Sequence, residues 1–241
     1  MREKISGIII SITKYNDRFN VITMYTRSHG RLSFLSPIGS GKGARARQSR
    51  LQLLSVIETE ITFKQGAELL KLGSVSLKNI WTDIYFHPVK NIIAIFISEF
   101  LNRLLRATES DPNLWDYLWN AINLLDRMEK GVENYHIAFL SSLLPFSGIQ
   151  PDTTSYVEGS FFDMRSGTFS LTPPPHGDFL EREEARMAAL IPRINFNNVK
   201  ALKLSGNDRY RILSHIIKYY SHHYPGMSNI KSLDIIHEIF H

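Results

Sequence analysis

The spacing of apolar residues changes near residue 80, and this change decides which elements the chain can form. Residues 57–63 alternate strictly between apolar or β-branched and polar side chains, the pattern of a strand with one buried face. Between Ile92 and Leu105 the apolar residues recur every three or four positions, which is typical of a helix. The chain has 241 residues, more than most single domains. We therefore predict an α+β protein of two domains, a β-domain of residues 1–79 and an all-α domain of residues 80–241.

The β-domain is predicted to contain five short strands joined by turns and one longer loop. Turn-forming residues separate the strands, as at Asn16-Asp17 and Ser28-His29-Gly30. The predicted strands cover residues 4–15, 19–26, 31–37, 57–63 and 68–76. Strands of this number and length fit a small closed barrel. An SH3-like barrel fits the same pattern, so periodicity leaves the barrel topology open.

The helical domain is predicted to contain several helices interrupted by one β-hairpin. One helix follows Pro88, and Asp111-Pro112 begins the next, as a capping residue followed by a proline at the first helical position. Further helices are predicted over residues 133–146, 178–191, 207–224 and 228–241. Aromatic residues on both sides of a turn at residues 165–167 predict a hairpin within residues 156–171. Three consecutive prolines after the hairpin form a stiff linker.

Positive charge is concentrated in the first 50 residues, which hold ten Lys or Arg and two acidic residues, a formal charge of +8. The other 191 residues hold 18 basic and 21 acidic side chains. Residues 39–50 contain four basic residues, three glycines and no acid, and we predict a mobile cationic loop there. Such a field over a small β-domain is typical of a polyanion-binding surface, because each neutralised phosphate releases counterions. A solvated basic face without a partner is the alternative interpretation.

Composition excludes several other classes of protein. The chain has no cysteine, which excludes disulfides and thiolate metal sites. Its first residues lack the long apolar region and small-residue cleavage site of a signal peptide. The most apolar stretch, residues 91–98, is far shorter than the ~20 residues that a membrane span needs. We therefore expect a soluble intracellular protein with no membrane partner.

Two short motifs resemble catalytic signatures without completing them. Residues 237–241 read His-Glu-Ile-Phe-His, the spacing that places two zinc ligands on one helix face, but no third ligand follows. Residues 39–43 resemble a phosphate loop, yet Gly43 follows Lys42 where the Walker pattern has Ser or Thr. No spacing indicates a catalytic triad or a carboxylate pair. We expect no enzymatic activity, no cofactor and no bound metal.

A series of motifs, in their order and spacing, resembles one known family. Gly7 to Tyr15 reads as an apolar strand before a polar turn, and Thr26 to Ser33 has the pattern T-x-x-x-G-R-x-S. Lys42-Gly43-Ala44-Arg45 follows as a basic motif, and residues 51–58 are similar to L-Q-P-L-x-x-x-E. Together with the closing helices over residues 209–233, these motifs resemble the RecO family of bacterial DNA repair proteins.

The resemblance covers most of the chain and is strongest over residues 5–60 and 205–236. It implies an amino-terminal five-stranded OB-fold barrel followed by a helical domain. It also implies a mediator of recombination that binds single- and double-stranded DNA and anneals complementary strands. The partners that it implies are RecR and the single-stranded DNA-binding protein, with which the mediator helps to load the recombinase. The implied location is the cytoplasm, in association with the nucleoid.

The chain departs from the family pattern in two respects. Leu53 stands where a proline is common. Many members also carry a four-cysteine zinc module between the helices, which a chain without cysteine cannot form. The predicted hairpin of residues 156–171 lies about where that module would be. We interpret it as a metal-free replacement in which Phe161, Phe162 and Phe169 supply the packing.

The candidate DNA contacts are basic residues of the β-domain, because an OB barrel binds nucleic acid through a groove lined with cations and stacking rings. The phosphate candidates are Lys14, Arg18, Arg27, His29, Arg31, Lys42, Arg45, Arg47 and Arg50. The candidate base platforms are Tyr15, Phe19, Tyr25 and Phe34, with burial in the barrel core as the alternative for each. Cations at the ends of two predicted helices are candidates to bind the acidic tail of the single-stranded DNA-binding protein. The alternative is that they only complement the helix dipoles. They are Arg103, Arg106, Arg127 and Lys130.

Three functions stay open at this point. A DNA-annealing mediator is favoured. An OB-domain module that binds structured RNA fits the same basic barrel, since the charge pattern does not distinguish DNA from RNA. A hydrolase that uses His237 and His241 is the third.

Overall fold

The structure is a computed structural model, and it describes residues 2–63, 69–106 and 109–239. It divides into two compact units, Met1–Arg127 and Met128–His241. The first unit contains a curled β-sheet with three helices, and the second contains helices and a small sheet. In the described ranges no helix combines the length and apolar character needed to cross a bilayer. The domain boundary between residues 79 and 80 stays a prediction.

The sheet of the first unit has six strands, so the predicted number of five is wrong. Strands β1 to β6 are Arg2–Lys14, Phe19–Thr26, Gly30–Pro37, Val56–Thr62, Leu70–Lys71 and Val75–Leu77. They lie in the order β5-β3-β2-β1-β4-β6, and every pair is antiparallel except β3 and β5. The predicted last strand, residues 68–76, is divided because the chain bends at residues 72–74. Glu68 itself lies outside the described residues.

The two edge strands of the sheet are joined by only three residues, so the sheet must curl until its edges approach each other. The N–H of Leu72 donates a hydrogen bond to the carbonyl of Leu35 on β3 at 3.2 Å. At the next residue, a Cβ atom on Gly73 would lie 2.4 Å from the carbonyl oxygen of Glu60 on β4. A residue without a side chain permits this close backbone approach. Residues 72–74, the joint, therefore contact strands on both sides of the curled sheet.

One face of the curled sheet holds the apolar core of the first unit. Alternate residues of the long strands point into it, and they include Ile5, Ile9, Ile22, Met24, Phe34, Ile57 and Ile61. Strand β1 is buried on its other face as well, where Ile8 and Ile10 are almost inaccessible to solvent. Helix α2, Pro88–Leu104, contacts β1 and explains this second buried face.

The segment predicted as a mobile loop forms a helix, so that prediction is wrong. Helix α1 is Lys42–Gln48, and none of its residues is buried. Residues 44–48 are Ala, Arg, Ala, Arg and Gln, all strong helix formers, and their propensity outweighs the cost of Gly43. The basic residues of this segment therefore have fixed positions on a helix surface.

Helices α2 and α3 begin where capping residues and prolines predict. Pro88 is the first residue of α2, after the His87 cap. Helix α3 is Pro112–Arg127. Before it, Asp111 Oδ1 accepts a hydrogen bond from the backbone N–H of Asn113 at 2.8 Å, which satisfies one of the free donors of the first turn.

A buried polar network holds the connection between the sheet and these helices. The Asp126 carboxylate on α3 accepts four hydrogen bonds of 2.9–3.0 Å, from the backbone N–H groups of Thr82, Asp83 and Ile84 and from the Thr82 hydroxyl. Lys90 on α2 is buried, donates to the carbonyl of Asp126 at 2.8 Å and pairs with Asp83. The irregular chain after β6 is therefore bound to both helices.

The second unit contains four helices and a three-stranded sheet within the described residues. The helices α4 to α7 are Tyr135–Leu143, Arg182–Leu190, Gly206–His223 and Ser232–Ile239. The strands β7 to β9 are Phe161–Asp163, Thr168–Ser170 and Phe179–Leu180, in the order β8-β7-β9. The predicted helix over residues 178–191 begins too early, because Phe179 and Leu180 pair with β7 instead. The predicted end of the last helix, Phe240 and His241, lies outside the described residues.

The predicted hairpin is confirmed, and its aromatic residues pack as a cluster. Phe161, Phe162 and Phe169 are all buried. The rings of Phe162 and Phe169 lie 4.8 Å apart between centroids, and Tyr219 of α6 lies 5.4 Å from Phe162. The small sheet is therefore held to the helices of its own unit by apolar contact.

Candidate nucleic-acid interface

The turn between β1 and β2 presents two cations and one exposed ring. Asn16 Oδ1 accepts a hydrogen bond from the N–H of Arg18 at 2.9 Å, which fixes the turn. Tyr15 is 60% exposed. Lys14 Nζ lies 2.7 Å from Asp17 Oδ1, and both side chains are exposed, so the pair contributes at most ~1 kcal/mol. Arg18 forms no ion pair with any residue that the structure describes.

Helix α1 and the residues after it supply four more cations, and these differ in their contacts. Arg47 and Arg50 each donate to a backbone carbonyl between residues 72 and 75 at 2.8 Å. Burial lowers the pKa of Arg47. Lys42 and Arg45 are exposed and, among the described residues, have no acidic partner. Arg47 therefore anchors α1 to the joint and Arg50, just after the helix, bonds the first residue of β6, whereas Lys42 and Arg45 project into solvent.

Arg31 is engaged with α2. Its guanidinium donates to the backbone carbonyl and to the side-chain oxygen of Asn102, both at 2.9 Å. Burial lowers the pKa of Arg31, and the nearby charge of Arg106 lowers it further. These contacts give Arg31 a structural role between β3 and α2, where the sequence suggested a phosphate contact.

Arg27 and His29, the other two candidates near Arg31, face acidic residues. His29 Nε2 lies 2.9 Å from Glu3 Oε1. Arg27 lies 3.8 Å from Asp116 Oδ1, and both of these side chains are more than half exposed. The local positive charge around this turn is therefore partly neutralised.

The predicted phosphate contacts form two groups at opposite ends of β2 and β3. Phe19 pairs with Pro37, and the N–H of Ile38 donates to the carbonyl of Arg18 at 2.8 Å, so the chain enters α1 beside the β1–β2 turn. Thr26 pairs with Gly30 at the other end, roughly 25 Å away for strands of this length. One group, which we call the basic end, combines Lys14 and Arg18 of the β1–β2 turn with the cations of the segment that follows β3, namely Lys42, Arg45, Arg47 and Arg50. The other group is Arg27, His29 and Arg31.

Two of the four candidate base platforms belong to the core. Tyr25 and Phe34 are 0% exposed, and the Tyr25 hydroxyl accepts a hydrogen bond from the N–H of Asp111 at 3.0 Å. Their prediction as stacking rings is wrong. Phe19 is half-buried, and Tyr15 is the candidate ring most open to a base.

A cavity of about 530 Å³ opens between β3, β4 and β5, and two cations that sequence reasoning passed over line it. These are Arg2 and Lys71, together with Glu60 and Leu35. Arg2 precedes the first predicted strand, and Lys71 lies between Leu70 and Leu72 in the last one, so neither carried a motif. Only the curling of the sheet brings them together.

Comparison with known proteins identifies the family. The family model described as recombination protein O N terminal matches residues 1–81, and the model described as recombination protein O C terminal matches residues 86–234. The chain belongs to the RecO family. A DNA repair protein RecO from Phocaeicola vulgatus is 34% identical over 240 residues, covering 100% of both chains. Those from Bacteroides fragilis and Porphyromonas gingivalis are 33% and 34% identical over 100% and 97% of both chains.

Three of the four cations proposed for a partner of RecO proteins lie at helix ends, whereas Lys130 lies three residues after the end of α3. Arg103 and Arg106 lie in the last turn of α2 and just after it, and Arg103 pairs with Glu99 one turn earlier at 2.9 Å. Arg127 ends α3 and is exposed, and Lys130 is an exposed residue of the second unit. Arg106 is exposed as well. Their use as a partner site stays a prediction.

The described part of this RecO chain contains no group of three or more His, Cys, Asp or Glu that could hold a metal ion. His237 of the H-E-x-x-H motif stacks on Tyr210, with the ring centroids 4.0 Å apart. His241, the second histidine of the motif, lies outside the described residues. The hydrolase hypothesis therefore gains no support from the described geometry.

Proposed function

We propose that this chain is a DNA repair and recombination mediator that binds single- and double-stranded DNA and anneals complementary strands. In this proposal it also helps RecR to load the recombinase on strands coated by the single-stranded DNA-binding protein. The observation that carries the proposal is the basic end, where Arg18, Lys42 and Arg45 are exposed and Tyr15, in the same turn as Arg18, is 60% exposed. The names of the relatives support repair as the process.

We further propose that the curled sheet is an OB-fold. Such a barrel fits the strand order and the parallel pairing of β3 with β5. It also fits the helix between β3 and β4 and the joint that contacts both of these strands. In this scheme β5 and β6 together are the fifth OB strand, bent at Gly73. OB barrels commonly bind single strands through cations and stacking rings.

The basic end supplies a mechanism for annealing that needs no nucleotide hydrolysis. Cations that contact phosphates release counterions, and they screen the repulsion between two phosphate backbones. Two complementary strands then meet more often. Tyr15 offers a face on which an unpaired base can stack without sequence preference.

The partner residues complete the proposal. The acidic tail of the single-stranded DNA-binding protein would contact Arg103, Arg106, Arg127 and Lys130, of which Arg106 is exposed and lies nearest the free end of α2. RecR would join this complex on the DNA. This role places the protein in the cytoplasm with the nucleoid, and the role is not catalytic.

A salt titration of DNA binding tests the proposal. We neutralise Arg18, Lys42 and Arg45 together by substitution with Gln and measure the affinity for a fluorescent single strand at several salt concentrations. Each lost phosphate contact should lower the slope of log affinity against log salt by about 0.7. We therefore expect the slope to fall by about 2 units. An RNA strand of the same length is titrated in parallel.

Lys218→Gln is the matched control, since Lys218 is an exposed cation on α6 of the second unit. The control should keep the wild-type slope. An unchanged slope in the triple variant would mean that the basic end is a solvated face. A clear preference for the RNA strand would favour the RNA-binding alternative.

A further inference from the structure

A groove of about 350 Å³ opens in the first unit between helix α2 and the turn that precedes β4. The residues that line it are Gln52, Leu53, Tyr85, Asn91, Ala94 and Ile95. Ala94 and Ile95 follow Asn91 by three and four residues on α2, so all three lie on one face of the helix. The turn and the segment between β6 and α2 supply the other walls.

The wall formed by the turn has a fixed shape. Leu54 has a φ of 63°, in the left-handed region where a residue other than glycine is strained. Its N–H donates to the carbonyl of Ile9 at 2.8 Å, and its carbonyl accepts a hydrogen bond from the Trp81 indole at 3.0 Å. The Tyr85 hydroxyl donates to the Leu53 carbonyl at 3.1 Å. Contacts with β1 and with the segment before α2 therefore hold this wall in place.

The groove combines apolar surface with polar groups that are open to a ligand. Gln52 and Asn91 are half-buried, and neither side-chain amide forms a hydrogen bond with any residue in the described ranges. Each amide can both donate and accept. Leu53, Ile95 and the ring of Tyr85 provide the apolar contact surface, and Ile95 is 40% exposed. Within the described residues, no charged side chain lines the groove.

The basic segment of residues 42–50 leads directly to this groove. Arg50 is exposed and lies two residues before Gln52, so their Cα atoms are at most about 7 Å apart. Backbone hydrogen bonds of 3.0–3.1 Å fix the turn between α1 and the groove. The acidic residue nearest in sequence to the lining, Asp83, pairs with the buried Lys90. Positive charge therefore borders one end of the groove.

These features favour an unpaired nucleobase as the occupant. The volume lies at the lower end of the roughly 300–1,000 Å³ of typical small-molecule sites, which suits one flat group. An unpaired base has apolar faces and a polar edge, and proteins that bind single strands contact both. Cations near the groove suit the phosphates on either side of the base. An apolar peptide segment would instead leave the two amides without partners.

We propose that this groove, the α2 groove, holds one unpaired base of a bound single strand while Arg50 and the cations before it contact the phosphates. This inference rests on the proposed function and adds a base-binding site to it. The base must leave the groove when it pairs with a complementary strand, because the base pair then uses its polar edge. The annealed duplex therefore binds with one contact fewer than the single strand, which favours release of the product.

The test measures binding of the full chain to three fluorescent ligands of equal length: a mixed-sequence single strand, an abasic strand with the same phosphates, and a duplex. Gln52→Ala combined with Asn91→Ala should weaken binding of the mixed-sequence single strand roughly tenfold and leave the other two ligands unchanged. Because no charge is altered, the salt slope should keep its wild-type value. Ile95→Ala should weaken binding of the same ligand alone.

Asn120→Ala is the matched control, since Asn120 is an exposed amide on α3, and it should bind all three ligands as the wild type does. Thermal melting verifies that each variant folds.

Two results would each overturn the inference. The first is unchanged affinity of the groove variants for the mixed-sequence single strand, which would leave the groove to another occupant, such as a protein segment. The second is an equal loss of affinity for the abasic strand or the duplex, which would show that no base is bound there. In both cases, wild-type binding of the single strand with a steep salt dependence would keep the proposed function. A wild-type chain that binds no strand would contradict both.

Discussion

At the scale of single residues, Asp126 carries a dense set of polar contacts in the first unit. Its carboxylate accepts four hydrogen bonds and its carbonyl a fifth, from Lys90. Burial alone would raise the pKa of Asp126, but the hydrogen bonds from Thr82, Asp83 and Ile84 outweigh burial and hold that pKa below its ordinary value. The charged form is therefore favoured by folding.

We expect Asp126→Asn to lower the free energy of unfolding at pH 7 by about 2 kcal/mol, because hydrogen bonds to a charged acceptor are lost. Since the pKa of Asp126 is depressed in the folded state, its contribution is complete above pH ~4 and is lost as the pH falls through the folded pKa. The difference between variant and wild type should therefore shrink at low pH. Urea denaturation at pH 7 and at acidic pH measures it. Asp116→Asn, at an exposed site, should change stability by less than ~0.5 kcal/mol.

The residue scale is also where sequence reasoning reached its limit for the candidate site. Charge density correctly marked the first 50 residues as the basic region of the chain. It did not separate anchors from free cations, because the carbonyls that engage Arg31 and Arg47 belong to Asn102 and Leu72, far along the chain. Tyr25 shows the same limit, because β2 has apolar residues on both faces, Met24 on one and Tyr25 on the other, so the pattern does not indicate which face is buried.

At the scale of elements, the joint between β5 and β6 decides how the sheet closes. Local pattern predicted β1 to β4 well, since each is a run of seven or more residues rich in apolar and β-branched side chains. It predicted one strand where the structure has two. The bend at Gly73 depends on the close approach of this residue to the Glu60 carbonyl on another strand, which no local pattern indicates. Helix α1 shows the opposite case, in which local preferences conflict with each other. Three glycines suggested a loop, but the helix-forming residues 44–48 determine the structure.

Gly73→Ala should lower the free energy of unfolding by about 1–3 kcal/mol, the usual cost of overpacking a close contact. The added methyl group would stand 2.4 Å from the Glu60 carbonyl, and backbone atoms do not yield cheaply. Gly43→Ala is the matched control, because no atom lies within 4 Å of its added Cβ. In α1 this change should be neutral or stabilise by up to about 1 kcal/mol. Equal effects of the two substitutions on urea midpoints would contradict this role for Gly73.

At the scale of the whole molecule, two separable reactions are predicted. One depends on the basic end, and the other also depends on the cations proposed to contact the acidic tail of the single-stranded DNA-binding protein. The chain should anneal naked complementary strands without ATP. It should also anneal strands coated by the single-stranded DNA-binding protein, and Arg106→Glu should abolish that second reaction while sparing the first. Fluorescence quenching of labelled strands follows both. Arg106 is a sharper choice than Arg103, which pairs with Glu99.

Lys218→Glu serves as the control and should support both reactions. Equal failure of both reactions in Arg106→Glu would show that the end of α2 is not the partner site. A requirement for ATP in the annealing of naked strands would contradict the mediator proposal itself.

The purified protein should contain no stoichiometric zinc, and a chelator should leave its melting temperature unchanged. The chain has no cysteine, and the hairpin of the second unit is packed by aromatic rings instead. Elemental analysis and thermal melting with and without chelator measure this. One zinc ion per chain that disappears in His237→Ala would contradict it.

The short joint also has a consequence for synthesis on the ribosome. Strands β1, β2 and β3 pair with their neighbours in sequence, so they can form hairpins as soon as they leave the exit tunnel. The long strands β1 and β3 each keep one unpaired side until β4 and β5 have emerged, and open edges invite pairing with other nascent chains. Translation of residues 38–77 is therefore the interval in which this protein is most exposed to aggregation. Slower translation there should increase its dependence on chaperones.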